Sequence, residues 1–487
     1  MPVVSTDLNL LQDRQELARF LAACQQVSVE KGCSQIASIS LEIPAVDPLA
    51  VLDAIAKPSQ LSFYFENGGK GKGKASVPGA VFLDGNFAIA AIDAAITFTG
   101  EGKQRFANAG DFLESCQNNI ITAGALDLPF SGPHFFASFT FFEECPPNSA
   151  FPAATLFLPR WQVARLAKSC VLVANVPVHY RDNPEQLALG LWQKVEGIKL
   201  AKYRSPLVYS GNGRVLKKRH IVNPDDFKMA VNSALQSIQA SRLSKIVLAH
   251  AVDVSSPQAF NIISSLNNLR RIYPDCYIFA ANNGKGKHFM GASPERLLGI
   301  RNHQLETDAL AGSAPRGYSP REDAVLANAL LDSEKEKHEH QVVVDFISDR
   351  LAKLGLTPQI APMVRLMQLS NIQHLWTPIR AEVPASIHPL EIIAALHPTP
   401  AVAGLPRDIA CQEIRRYEAF DRCLYAAPLG WIDYQGNGEF IVGIRSALIE
   451  GDRARFYAGA GIVAGSNADK ELAEVKLKLN TLLEALV

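Results

Sequence analysis

Residues 430–487 read GWIDYQGNGEFIVGIRSALIEGDRARFYAGAGIVAGSNADKELAEVKLKLNTLLEALV, and they carry the clearest structural signal in the chain. Three runs of strand character fill residues 430–463, separated at 435–438 and 450–452 by Gly- and Asp-containing turns, which predicts an antiparallel meander. A helix is expected from about residue 468 to 486. There Leu472, Val475, Leu479, Leu482, Leu483 and Leu486 recur at helical spacing and form one apolar stripe. The chain is expected to end packed against a core.

Upstream, Ser319, Pro320 and Glu322 form a helix start, with a capping residue followed by Pro at the first helical position. The helical pattern continues through Asp345 to Lys353 and stops at Gly355, a residue that tolerates the left-handed conformation of a helix end. Residues 1 to about 200 alternate short strands and helices with Gly- and Pro-rich connections. Residues 61–66 (LSFYFE) and 80–83 read as strands flanking the loop 67–74 (NGGKGKGK). That loop lacks the GxxxxGK[ST] spacing of a phosphate cradle and reads as a solvated hairpin connection.

The bulk properties narrow the function. With 487 residues the chain can form one large or two ordinary domains. Lys plus Arg and Asp plus Glu both number 48, so the formal net charge is zero and nothing favours a nucleic acid or an anionic membrane surface. The eight cysteines show no CxxC pairs, which argues against a zinc site or a disulfide framework and for reduced thiols in the cytoplasm. No signal peptide is expected at the N-terminus, and no apolar run approaches the roughly 20 residues that cross a bilayer. The expected ligand is a small molecule.

Two segments offer paired carboxylates. Glu471, Glu474 and Lys478 share one helix face, and Glu336 and Glu339 stand at i and i+3 in the run 332–340 (DSEKEKHEH). Alone, such spacing describes a solvated face with ion pairs worth tenths of a kcal/mol. His338 and His340 do not make a zinc-protease motif, because HExxH needs its second His at the position of Val342. Paired carboxylates without His or Cys at ligand spacing suit a hard cation, and magnesium fits, with waters and substrate oxygens completing an octahedron.

Between and before these segments stand SKIVL (244–248), GASPERL (291–297), DALAGSAPR (308–316), QHLWTP (373–378), HPTPAVAG (397–404), VGIRSA (442–447) and YAGAGIV (457–463). In this order and spacing, over about residues 215–487, they resemble the chorismate-binding domain shared by anthranilate, aminodeoxychorismate, isochorismate and salicylate synthases. Within that family the chain is most similar to isochorismate synthases. The resemblance implies an α+β fold like that of anthranilate synthase component I, with two face-packed antiparallel sheets and helices outside. Residues 1–205 would be its variable N-terminal part and 206–487 the catalytic region. Residues 111–115 (DFLES) also echo an inhibitor-binding motif of anthranilate synthases, a match short enough to arise by chance.

The resemblance also implies roles. Glu339 and Glu474 match direct Mg²⁺ ligands, with Glu336 and Glu471 holding coordinated waters. Arg445 and Lys478 match positions that bind substrate carboxylates, a task suited to the guanidinium fork. Gly312, Ser313 and Gly459 would bring backbone amides close to the ligand, and His374 and Ala401 match pocket-lining positions. Lys245 matches the general base of the water-using members, where ammonia-using members usually carry Gln. Ala311 replaces the nucleophilic Lys of aminodeoxychorismate synthases, and Glu295 matches the general acid.

The implied reaction converts chorismate to isochorismate. Water activated by Lys245 adds at C2, the ring double bonds shift, and hydroxide leaves C4 with a proton from Glu295. A free Lys is neutral only about once in 2,500 at pH 7, a penalty of roughly 4.6 kcal/mol. The mechanism therefore needs a Lys245 environment that disfavours charge, and a Glu295 raised from about 4.3 toward neutrality. Outside the motif context Lys245 reads as a strand-end surface lysine, Glu295 as a partner of Arg296, and His374 as a hydrogen-bonded core histidine. Rival readings are a salicylate synthase, which goes on to eliminate pyruvate, an anthranilate synthase, and a non-catalytic relative. Length and the indistinct N-terminal half fit a synthase of quinone (menaquinone or phylloquinone) biosynthesis somewhat better than one of a siderophore or salicylate pathway, and the residues leave all of these open. No obligatory protein partner is expected.

Overall fold

The computed structural model describes every residue except 1–2, 6–12, 69–85, 205–206, 208–216, 222, 371 and 487. Residues 69–74 of the Gly/Lys loop and the strand expected at 80–83 therefore lie outside the described residues.

Two long antiparallel ladders share the strand Ala154–Leu166. One runs from it through Phe87–Gly100, Leu61–Asn67, Tyr277–Asn283, Lys287–Ser293, Ser446–Glu450 and Arg453–Val463 to Lys245–Ser255. The other leaves through His134–Phe139 and passes Pro428–Asp433, Gly438–Val442, Arg296–Arg301 and Gln304–Pro315 to Ile372–Glu382. The sheets face each other across an aromatic and aliphatic core. The Phe63 ring packs 5.5 Å from Phe136 of the opposite sheet. Tyr277 Oη donates to Glu439 across the same gap at 2.6 Å. This is the expected α+β arrangement. One departure is local: Gln35–Glu42 pairs with Ile120–Gly124 in parallel.

The C-terminal helix spans Ala468–Leu486, as its stripe predicts. Asn467 Oδ1 accepts from the amides of Asp469 and Lys470, both at 3.1 Å, and caps its first turn. Leu472, Val475, Leu479 and Leu482 are buried, and the helix packs on Arg453–Val463. Glu471 and Glu474 are thereby held at the edge of that strand.

Two expectations need correction. The helical pattern from 320 to 353 is two helices, Pro320–Asp332 and Glu334–Lys353. Ser333 is extended at ψ 111° and its side chain accepts from the Glu336 amide, so it caps a new helix. The second helix thus starts afresh and packs against Gln304–Pro315, with Glu336 and Glu339 in its first turns. The central run of the C-terminal meander is also split. Gly438–Val442 belongs to one sheet and Ser446–Glu450 to the other. The chain crosses between them at residues 443–445, where Arg445 adopts φ 49°. A non-Gly residue held there is strained, and such positions cluster at functional sites. The segment 111–115 lies inside the helix Arg105–Gln117, with Leu113 in the core.

Candidate active site

All of the residues to which the resemblance gives catalytic, substrate-binding or metal-holding roles line one cleft between the ends of the two sheets and the helices Glu334–Lys353 and Ala468–Leu486. Lys245 opens the strand Lys245–Ser255 and Glu295 lies in the connection between Lys287–Ser293 and Arg296–Arg301. Gly312, Ser313 and His374 come from the paired strands Gln304–Pro315 and Ile372–Glu382. Arg445 comes from the crossover, Gly459 from Arg453–Val463, and Ala401 from the loop before Gly404. Glu336, Glu339, Glu471, Glu474 and Lys478 are the helical contribution.

Local irregularities aim several of these groups. At Gly312, with φ 77°, the ladder slips between Ala311 and Ser313. A bulge of this kind re-aims side chains beside active sites. The shifted Ser313 amide donates to Glu336 Oε2 at 3.2 Å, and its hydroxyl contacts His374 Nδ1 at 2.8 Å. At Gly461 a Cβ would sit 3.0 Å from Glu339 Oε1 and 3.3 Å from Lys245 Cε, so any side chain there would press on the ends of both.

Lys245 is a strand-end residue, yet only 1% exposed. Its Nζ donates to Glu339 Oε1 at 2.7 Å. Burial pushes the Glu339 carboxyl up, but Lys245 outweighs it and holds the group below the usual range. Glu295 is 5% exposed. Its neighbour Arg296 turns elsewhere, to Glu306 and to Asp308 at 3.1 Å. Desolvation pushes the Glu295 carboxyl to about 8, against Lys245, which lowers it, and with Asp308, which raises it further. Glu295 is therefore mostly protonated at neutral pH, the form a general acid needs.

His374 is both a fold-bonded histidine and a cleft residue. Burial, then Arg445 and Lys478, hold it well below its usual range, so the ring is neutral. Arg445 Nη2 lies 3.4 Å from His374 Nε2. A guanidinium only donates, so Nε2 accepts and Nδ1 carries the proton. Lys478 Nζ reaches Glu474 at 2.7 Å and the Gly459 carbonyl at 3.0 Å.

The four helical carboxylates suit a divalent cation. Glu336 is raised by burial and then by Glu339, with Glu474 adding to it. Glu471 is raised by burial and by Glu474, with Glu339 again contributing. These groups repel one another across one gap, and Lys245 and Lys478 offset only part of that charge. Among the described residues no group of three His, Cys, Asp or Glu is already gathered as a closed ligand set. An open array that leaves coordination positions to water and substrate is how Mg²⁺ is usually held.

The cleft also contains residues that the motif reading did not single out, notably Lys335, Tyr425 and Gly461. Lys335, next to Glu336 in 332–340, and Gly461, two residues after Gly459, were within reach of helical and strand spacing. Tyr425 lies outside every motif, and only the fold brings it in.

The chain matches the family described as chorismate binding enzyme over residues 19–487. It is 33% identical over 459 residues to the salicylate biosynthesis isochorismate synthase of Pseudomonas aeruginosa, covering 93% of this chain and 90% of that one. It is also 33% identical to isochorismate synthase MenF of Bacillus subtilis, over 73% of this chain and 75% of the relative. Among solved structures, MenF, the menaquinone-specific isochorismate synthase from Escherichia coli, superposes with a TM-score of 0.75 at 25% identity. That likeness covers 96% of this chain and all of the other. The chain belongs to the chorismate-binding enzyme family.

Proposed function

We propose that this chain is an isochorismate synthase, an isomerase that converts chorismate to isochorismate. The observation that carries the reading is a buried amine, Lys245, and a buried, largely protonated carboxyl, Glu295, facing one cleft. A base and an acid on the two sides of a ring are what addition of water at one carbon and loss of hydroxide at another require.

Chorismate is a dicarboxylate, and Arg445 and Lys478 supply cationic donors for it. Neutral His374, bonded to Ser313 and Arg445, braces the guanidinium. Lys245 takes a proton from the water that adds at C2, the ring double bonds shift, and Glu295 donates a proton to the hydroxide leaving C4. Lys245, an ammonium paired with Glu339, must first release a proton to solvent before the amine can accept one from that water. Magnesium, held directly by Glu339 and Glu474 and through waters by Glu336 and Glu471, would neutralise a substrate carboxylate. Gly312, Ser313, Gly459 and Ala401 complete the wall around the ring. In this reading residues 206–487 form the catalytic region, and residues 1–205 complete the sheets behind it. The free cysteines among the described residues support a reducing, cytoplasmic setting.

The test is the purified protein incubated with chorismate, with and without Mg²⁺, with products resolved by chromatography. Isochorismate formed only with magnesium is the expected result. Salicylate with pyruvate would move the assignment to a salicylate synthase. Absence of any product would overturn the catalytic reading.

A further inference from the structure

A second cavity, of about 310 Å³, lies away from the catalytic cleft among the strands Leu61–Asn67, Phe87–Gly100, His134–Phe139, Ala154–Leu166 and Tyr277–Asn283. None of its lining residues belongs to the catalytic cleft. The strand Tyr277–Asn283 separates the two sites. Cys276, just before it, contacts Arg445, whereas Asn282 and Asn283 line the second cavity. Six residues of extended chain place these ends about 20 Å apart.

The lining has two parts. Phe63, Phe136, Phe151 and Phe157 supply apolar, aromatic walls. A polar cross-strand pair, Ser138 opposite Thr155, shares the sheet face of Phe136 and Phe157. Both are at least nine-tenths buried and line the cavity. Polar groups in the interior of a sheet sandwich cost stability unless something hydrogen-bonds them. The Thr155 hydroxyl oxygen is buried and has no hydrogen-bond partner among the described residues. The volume decides the size of an occupant. An apolar cavity of about 150 Å³ holds one benzene ring, so this one holds a ring with substituents. Among the described residues no carboxylate lines it and the one cation is Lys285, which is exposed. A charged ligand would therefore sit poorly in its interior.

We propose that this cavity is a second small-molecule site, and that it takes a neutral substituted aromatic compound carrying a phenolic or carbonyl oxygen. The ring lies among the phenylalanines, and the oxygen is met by the Ser138–Thr155 pair.

The experiment uses the purified full-length protein and two probes, 4-fluorophenol and 4-fluorotoluene, followed by fluorine NMR titration. Three variants are compared, each checked by its thermal midpoint. Ala150→Phe fills the cavity from its edge, Thr155→Val removes the unpartnered hydroxyl, and Arg445→Ala alters the catalytic cleft alone. Saturable 4-fluorophenol binding is expected, weakened ~10-fold or more by Ala150→Phe and retained in Arg445→Ala. Thr155→Val should weaken the phenol and leave the toluene unchanged. Binding that survives Ala150→Phe, or is lost in Arg445→Ala, would place the probe elsewhere and overturn the proposal. So would no saturable binding of the phenol, the result expected if the cavity holds only water. Equal weakening of both probes by Thr155→Val would refute the polar half of the claim.

Discussion

Replacing Glu295 with Gln removes an acid that burial holds protonated, and its consequences can be worked out in both stability and rate. The carboxyl titrates near 4.5 in the unfolded chain and at about 8 in the fold, because desolvation outweighs Lys245. Between those values the folded protein binds one proton more than the unfolded chain. Its stability therefore falls with rising pH across that window, by about 1.4 kcal/mol per unit, and levels off above it. The contribution is fully present below pH 4.5 and lost as pH rises through about 8. At pH 7.5 the accumulated cost is about 4 kcal/mol relative to pH 4.5. Gln has no proton to lose, so Glu295→Gln should lack this slope. Its stability relative to the parent should improve steadily from pH 5 to 8. Urea unfolding at half-unit pH steps measures the difference. The same variant should lose chorismate conversion by a factor of ~10²–10⁴, as expected for a missing general acid. A pH-independent stability difference would refute the desolvation argument, and a normal rate would refute the acid role.

Other substitutions probe the remaining groups. Lys245→Ala should cut turnover by ~10²–10⁴ while chorismate binding in the presence of magnesium stays measurable by calorimetry; an unchanged rate would remove Lys245 from the reaction. Asp308→Asn keeps the acceptor for the Trp376 ring N–H, 2.8 Å away, but removes the charge that helps raise Glu295. The high-pH limb of the parent rate profile, expected near 8, should therefore move to lower pH, and a limb that stays put would contradict that coupling. Glu474→Ala should raise the magnesium concentration needed for half-maximal rate, and an unaltered titration would take it out of the metal site. Gly461→Ala places a methyl against both Glu339 and Lys245, so it should lower the rate while the thermal midpoint holds; full activity would show that the pair has room to spare.

Much of this architecture was legible because the relevant signals are local. The C-terminal helix is written in a stripe of leucines and capped by Asn467 next to its first residue. The paired carboxylates could be placed on shared helix faces from spacing alone. What spacing could not reveal is how far the chain turns between neighbouring residues. Residues 438–450 have one continuous strand pattern, yet Arg445 at φ 49° sends the two halves into different sheets. Likewise Asp332 and Glu334 belong to different helices, because Ser333 caps the second one. Environment was also hidden. Arg296 follows Glu295 directly but is taken by Glu306 and Asp308, and that long-range network leaves the acid unpaired with its neighbour. Tyr425 reaches the cleft from a segment with no motif.

The central claim is that water adds at one ring carbon while hydroxide leaves another, with Lys245 and Glu295 as the base and acid. The measurement that tests it most directly is turnover of chorismate in ¹⁸O-labelled water with magnesium, followed by mass spectrometry of the purified product. The account predicts isochorismate carrying one solvent oxygen, at C2, with the label absent when Lys245 or Glu295 is replaced. Isochorismate without label would mean that the original hydroxyl migrates within the substrate, and would contradict the assigned chemistry.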